Sequence, residues 1–220
     1  GPISRTIEIP TIAGINDFLR EALRFYPHLT EDMIRVILVH AGDTLLPELN
    51  EKLGKYSEEK LRSRGVEIFL NTKVADVNGT EVVLSNGERI ITNTMIWTAG
   101  TAPNPMLDTL PCEKERGRLC ANEYMEVKGF PGVWALGDCA SIVDPKTGKT
   151  YPPTAQHALR QGKILAHNIR ASIRGGRRKP FVFETIGQLA ALGRRTGVAQ
   201  IFGYNFSGFA AWWLWRTIYL

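Results

Sequence analysis

Apolar residues at 15, 18, 19, 22, 23 and 26 have the spacing of one helical face, and Pro27 closes that stretch. Ahead of it, residues 1–14 read as irregular, with Pro2 and Pro10 as breakers. The run Val36-Ile37-Leu38-Val39 predicts a strand buried on both faces, closed by Gly42-Asp43. A second helix, 48–64, turns Leu49, Leu53, Tyr56 and Leu61 inward and reaches Gly65, where a C-cap belongs. Short strands follow at 66–70, 73–77, 81–84 and 89–92. Asn78-Gly79 and Asn86-Gly87 separate the last three, so they form a β-meander. Met95-Ile96-Trp97 predicts another buried strand leading into Thr98-Ala99-Gly100, and 101–117 a loop rich in proline and charge. Residues 133–136 predict a strand that ends in Gly137-Asp138. Thr154 then caps a helix over 155–173, ended by Gly175-Gly176. Residues 181–183 and 198–201 read as strands of a new unit, and 206–220 as a final apolar helix.

This alternation of helix and strand makes an α/β chain, and composition agrees with a packed one. Of 220 residues, 44% are hydrophobic, 22% charged and 9% aromatic, enough for one large or two small cores. The three cysteines, at 112, 120 and 139, form no CxxC pair, which excludes a zinc ribbon and a dithiol redox centre and points to a reduced compartment. No histidine shows metal-ligand spacing, so no metal site is expected. There is no secretory signal and no internal repeat. Charge adds an asymmetry. From Arg160 onward there are ten Lys/Arg against one acid, Glu184, whereas residues 1–159 carry 17 basic and 21 acidic residues. The basic part ends in Trp212-Trp213-Leu214-Trp215, which suits either anionic nucleic acid or a membrane surface. The chain opens on Gly-Pro and stops on an apolar segment, the expectation for a piece of something longer.

Three segments could carry chemistry. A strand ending in Gly137-Asp138 can put a carboxylate at the carboxyl edge of a sheet, where it would accept hydrogen bonds from ribityl or ribose hydroxyls; a plain turn is the commoner use of Gly-Asp. Thr98-Ala99-Gly100 combines small residues that let a planar cofactor or a crossing chain pass, or simply makes a tight exit turn. In the stretch from Tyr151 to Gly162, Pro152-Pro153 stiffen the start of a helix whose first N–H groups suit an electron-rich carbonyl or a reduced ring. There Gln156 and Arg160 share a face and can both donate to a carbonyl oxygen. The plainer alternative is an amphipathic helix with Ala158, Leu159, Leu165 and Ala166 in the core. His40 ends the second apolar element, where a dinucleotide fold would carry an acid for the ribose diol.

Taken together, Met95–Gly100, Val133–Asp138 with Cys139-Ala140, and Pro153–Gly162 resemble the type II, non-proton-pumping NADH:quinone oxidoreductases of respiratory chains. These are flavoproteins of the pyridine nucleotide-disulfide oxidoreductase superfamily. Ile15-Asn16-Asp17-Phe18, Leu189–Arg194 and Ser207–Trp212 are similar to that family too, so the likeness spans about residue 14 to 220. It implies the carboxyl-terminal portion of an incomplete two-dinucleotide-binding, Rossmann-like flavoprotein fold, with the β-meander and a C-terminal α+β region. Residues 1–97 would be a partial NAD(P)H-binding domain, 98–173 a partial FAD-binding domain, and 174–220 a truncated dimer or membrane-surface region. The cofactor would be FAD and the substrate NADH or NADPH, with electrons passing to a membrane quinone. The partners implied are the quinone, the membrane surface and a second copy in a homodimer, with no nucleic acid. The place implied is the cytoplasmic face of the membrane, or the cytoplasm if the chain is truncated.

Residue by residue, Thr98, Ala99 and Gly100 would mark the return from the NADH domain to the flavin domain. Gly137 and Asp138 would serve the FAD ribityl or pyrophosphate region, and Ala155 and Gln156 would lie beside the isoalloxazine. Gln156, Arg160 and Gln161 would face the quinone. Arg160 stands where the family has a second glutamine, with Gln161 adjacent, which changes the headgroup environment. His40 stands for the acidic ribose ligand, which leaves NADH against NADPH open. Neither glycine-rich GxGxxG loop occurs in the 220 residues, so the chain alone is expected to bind FAD weakly or not at all and to be inactive. Two other functions compete. A sulfide:quinone or ferredoxin reductase relative would need a cysteine partner for Cys139. A non-catalytic membrane-surface or dimerisation module would use 206–220, whose 15 residues fall short of the roughly 20 that span a bilayer.

Overall fold

The computed structural model describes residues 8–98, 100, 102–184 and 187–219. In chain order the elements are α1 (Glu8–Ala22), β1 (Val36–Val39), α2 (Glu51–Ser63), β2 (Val66–Phe69), β3 (Val74–Asn78), β4 (Glu81–Leu84) and β5 (Arg89–Ile91). Then come β6 (Lys114–Glu115), β7 (Arg118–Ala121), β8 (Ala140–Ile142), α3 (Ala155–Arg174), β9 (Gly187–Ala191), β10 (Gly197–Ile201), β11 (Tyr204–Gly208) and α4 (Phe209–Tyr219). The described residues fall into two compact units, one within Gly100–Glu184 and the other within Arg5–Ala99 and Thr185–Leu220.

In the discontinuous unit, β1 and β2 pair in parallel, Val36 opposite Val66 and Val39 opposite Phe69. A parallel pair needs a crossover, and α2 supplies it. Asn50 caps α2, its side chain accepting the Leu53 N–H at 3.0 Å. Both faces of this pair are covered. On one side Val36, Leu38, Val66 and Ile68 pack with Ile9 and Ala13 of α1, Leu53 and Leu61 of α2, and Ala190, Leu192 and Val198 from β9 to β10. On the other, Ile37, Val39 and Phe69 meet Val82, Leu84 and Ile90 of the antiparallel meander β3–β4–β5. The uninterrupted apolar run of β1 follows from that double burial.

The last quarter of the chain adds an antiparallel sheet in the order β11–β10–β9, with α4 packed on it through Ala211, Leu214 and Trp215. Arg64, the C-cap of α2, ties this sheet down. It donates to Leu192 O at 2.7 Å, Arg194 O at 2.9 Å and Thr196 Oγ1 at 2.9 Å, and pairs with Asp17 at 3.3 Å. Gly193 is required there: its φ is +89°, and a Cβ would collide with the Arg64 guanidinium and the Asp17 carboxylate.

The unit 100–184 is less regular. Strand β7 pairs antiparallel with β6 and parallel with β8, and its core gathers Leu119, Ala121, Met125, Val127, Ala135, Ile142, Leu165 and Phe181. Thr154 caps α3, and Gly175 ends it in the left-handed conformation, both as expected.

Several sequence expectations are corrected. Residues 1–14 are not irregular throughout, since α1 already runs from Glu8; Pro10 sits in its first turn, where the missing N–H has no partner to lose. That helix stops at Ala22, and a 3₁₀ turn, Leu23–Phe25, completes it. Met95-Ile96-Trp97 is neither strand nor buried, with Trp97 62% exposed. Residues 133–136 form only one bridge, Trp134 to Glu126. Phe181 belongs to no strand, donating its N–H to Glu123 O while its ring fills the core of unit 100–184. Strands β6, β7, β8, β9 and β11 carried too little apolar alternation to be predicted.

Among the described residues no helix is long and apolar enough to cross a membrane, and no cluster of three His, Cys, Asp or Glu could hold a metal ion.

Candidate functional site

The residues singled out at Gly137-Asp138 and at the start of α3 meet in unit 100–184. Residues Gly137–Cys139 make a single 3₁₀ turn between extended Leu136 and β8. Gly137 has φ +63°, and a Cβ there would lie 3.4 Å from the Ala158 Cβ, so this backbone runs directly against α3. Its N–H donates to Gln161 Oε1 at 2.7 Å. Asp138, the next residue, is exposed.

Along α3 the buried face is His157, Gln161, Leu165, Asn168 and Ala171, a helical spacing in which three of five positions are polar. Each polar one is bonded to a group beside it. Asn168 Nδ2 donates to Tyr124 O at 3.0 Å and Lys179 O at 2.9 Å, and its Oδ1 accepts the Lys179 N–H at 2.8 Å. The amphipathic alternative for α3 is corrected accordingly: Leu159 is 72% exposed and Ala166 is exposed, leaving Leu165 as the residue of that set in the core.

Beside this buried face, the first turn presents the polar side chains of Gln156 and Arg160. Ala155 is exposed and Gln156 half-buried. Arg160 Nη1 donates to Gln156 O at 3.0 Å, and its guanidinium lies 4.3 Å over the Phe183 ring. The shared face expected of Gln156 and Arg160 is therefore present, whereas Gln161 turns inward, its oxygen taken by Gly137, and does not face outward with them.

His157 sits among aromatic rings: Tyr151 at 5.4 Å, Phe183 at 5.0 Å edge-on and Phe181 at 6.5 Å between centroids. Thr154 Oγ1 is 2.7 Å from its Nδ1. Burial, and after it the charge of Arg160, push the imidazole below the ordinary histidine pKa. Burial likewise raises the Tyr151 phenol, whose hydroxyl accepts the Phe183 N–H at 3.3 Å.

The other predicted residues lie elsewhere. His40 belongs to the discontinuous unit and is buried, its Nδ1 3.1 Å from Glu8 Oε2 and its N–H donating to Phe69 O. Thr98 belongs to that unit too and is half-buried in irregular chain. Gly100 is exposed, with φ +99°, and Ala99 lies outside the described residues. Sequence reasoning missed His157, Tyr151 and Phe183 as a group. The available signal was the 157, 161, 165, 168 spacing, hidden because most of that face is polar.

The sequence profile of the pyridine nucleotide-disulphide oxidoreductases matches residues 22–162. A Dictyostelium discoideum protein named "Probable NADH dehydrogenase" is 31% identical over 210 residues, which cover 94% of this chain and 46% of that protein. The type II NADH:quinone oxidoreductase Ndh of Mycobacterium tuberculosis is 32% identical over 207 residues, 89% of this chain and 43% of that one. The chain thus spans about half the length of the curated relatives it matches. Among solved structures, NDH2 from Plasmodium falciparum in complex with NADH shares the fold over 96% of this chain and 59% of its own, with a TM-score of 0.83 and 17% identity.

Proposed function

The chain belongs to the pyridine nucleotide-disulphide oxidoreductase family, and from that premise we propose that it forms the acceptor side of a type II NADH:quinone oxidoreductase. Residues 98–173 contribute to its FAD-binding domain, 1–97 to its NAD(P)H-binding domain, and 174–220 to a dimer or membrane-surface region. The observation that carries this reading is the convergence of the Gly137-Asp138 turn on the helix that begins Ala155-Gln156, through the Gly137–Gln161 hydrogen bond.

The flavin half fits the residues present. Asp138 offers an exposed carboxylate to ribityl hydroxyls, one residue after a glycine whose backbone is pressed against α3. Ala155 is exposed and puts no more than a methyl group over the start of α3, where the partial positive charge of the helix end favours an electron-rich ring edge. Bound there, FAD would supply the hydride and electron chemistry that no side chain can. Gln156 donates from its amide to a quinone carbonyl. Arg160, held by Phe183 and by Gln156 O, keeps a fixed positive charge beside it, favouring acceptors that gain negative charge on reduction. Gln161 serves the site from behind, fixing the Gly137 turn.

The nicotinamide half does not fit in the same way. His40 is buried against Glu8 instead of facing a ribose diol, and the sequence holds no GxGxxG loop. No role toward NADH or NADPH is therefore assigned to named residues, and the chain alone is expected to hold little or no FAD.

A short-chain ubiquinone added to the isotope-labelled chain tests the acceptor side. The Gln156 side-chain amide and the Arg160 Nε–H are expected to shift in the NMR spectrum, and Gln156→Ala to abolish the response. Unmoved resonances sink the reading. A purified chain carrying stoichiometric flavin and oxidising NADH would overturn the expected weakness toward FAD.

Peripheral membrane attachment at the cytoplasmic face and homodimerisation belong to the same proposal. They are supported by the exposed aromatic residues of the last quarter: Phe202 at 77%, Tyr204 at 73%, Phe209 at 58% and Trp213 at 55%. Cosedimentation with anionic liposomes is the expected result, and a chain left in the supernatant removes the membrane part.

A further inference from the structure

We propose that His157 is the positioning residue of this site: its neutral imidazole holds the first turn of α3 and, through it, the Gln156 amide and the Arg160 guanidinium. The proposal rests on reading Gln156 and Arg160 as acceptor-side groups.

The geometry closes a loop. The Thr154 hydroxyl accepts the His157 backbone N–H at 3.4 Å, so its own proton is available to Nδ1 at 2.7 Å. That arrangement selects the neutral tautomer with the proton on Nε2. The imidazole packs edge-on with Phe183, Phe183 carries the Arg160 guanidinium at 4.3 Å, and Arg160 returns a hydrogen bond to Gln156 O, one peptide from His157. One ring thus bears on both the cap of the helix and the platform of its cation.

Protonation undoes this arrangement in a definite way. It turns Nδ1 from acceptor to donor, so the Thr154 hydroxyl can no longer donate to the ring and must rotate to accept from it as well as from the His157 N–H, and it places a positive charge at the positive end of a helix. The charged groups around the ring give it no relief. Arg160, on the same helix, repels the charge. Tyr151, across the ring, is held neutral by burial. Asp144 engages the Lys146 N–H and Thr147, and Glu184, beside Phe183, is paired with Lys146 at 2.5 Å. Asp138, on the one-turn helix packed against α3, is exposed to water. Burial and Arg160 both lower the pKa, so the lock is closed at neutral pH and opens on acidification.

The test is a pH titration of the isotope-labelled chain by NMR, followed at the His157 ring, the Gln156 amides and the Arg160 Nε–H. All three are expected to move together, with a midpoint below the ordinary histidine value. Gln156 and Arg160 signals that ignore the His157 titration in the unaltered protein overturn the proposal, whatever any variant does. His157→Leu should flatten that titration and speed amide exchange at Ala158 about fivefold, the loss expected of a helix cap. His157→Asn, whose amide oxygen replaces Nδ1 as acceptor, should flatten the titration yet restore slow exchange; equal exchange in the two variants would also overturn it. A soluble ubiquinone added at high pH separates the two claims. Coupled titration without any quinone response leaves the positioning intact and removes the acceptor-site reading, whereas quinone shifts without coupling do the reverse.

Discussion

The two units satisfy their buried backbone with different proportions of ladder and side chain. In the discontinuous unit, parallel and antiparallel ladders satisfy most of the main chain, with Asn16 and Arg64 serving the end of α2 and the β9–β10 turn, and side chains such as Ile9, Leu45, Leu61 and Val198 pack as hydrocarbon. In unit 100–184 the ladders are two to four residues long, and buried side-chain amides take over: Asn168 for Tyr124 and Lys179, Gln161 for Gly137. A polar group buried with good partners is costly to disturb but can be aimed. That difference explains why the candidate site sits in the irregular unit: the same helix face that anchors its loops fixes the turn and the helix start that compose the site.

The comparison can be broken most forcefully by Leu61→Ala. It should cost about 3–4 kcal/mol through a cavity in the apolar core, with protection from hydrogen exchange falling first in β1, β2 and α2. Asn168→Leu is the counterpart for the other unit. A nearly isosteric apolar residue would be harmless if packing held that region, yet it should cost about 3 kcal/mol by stranding three backbone groups. The loss should be read at residues 122–124 and 179. An Asn168→Leu protein as stable as the parent would end the contrast between the units. Arg64→Met should cost about 2 kcal/mol by leaving the carbonyls of Leu192 and Arg194 without their donor, with exchange quickening across β9 and β10 and little change in unit 100–184. Thr154→Ala, at about 1 kcal/mol for a lost cap, should loosen the first turn of α3 alone.

Acidity gives the finest distinction. His157 and Glu126 both have folded pKa values below their ordinary ones. For His157 the causes are burial and then Arg160; for Glu126 they are the Gly132 N–H and then Arg178. A lowered pKa means that the unfolded chain binds protons more readily, so the stability each contributes is whole above the ordinary value and is lost as pH falls through the folded one. Unit 100–184 should therefore weaken in two steps, the first in the histidine range and the second in the carboxylate range. Glu67, held down by the Arg35 hydrogen bond, gives up its share in the other unit only in the second range. Exchange profiles collected across acidic pH would check the order.

How much of this could be read beforehand follows the same division. The β1–α2–β2 unit and the meander were legible because their burial is apolar and periodic, and because Asn78-Gly79 and Asn86-Gly87 punctuate them. Both caps of α3 were legible from Thr154 and Gly175. The inner face of α3 was not, since His157, Gln161 and Asn168 register as polar, and Leu159 drew attention to the wrong side. Met95-Ile96-Trp97 misled for the complementary reason: hydropathy measures a preference for burial, not the presence of a neighbouring strand. Of the candidate site, Gly137, Asp138, Gln156 and Arg160 were proposed from motif. The inward turn of Gln161 and the Phe183 platform depend on which loop packs where, and local pattern does not encode that.

The Arg64 tie has one more consequence, for the order in which the chain can fold. Arg64 and its partners are separated by 128 to 132 positions in sequence, and Leu192 and Val198 complete the core laid down by Ile9 and Leu61. As the polypeptide leaves the ribosome, the early α/β segment must wait with an open hydrocarbon face until the β9–β10 turn has been made. The inserted region between them has all its strands in hand much sooner. The later-synthesised turn is thus the keystone of the earlier-synthesised core, and the interval between the two is the period in which a chaperone has something to hold.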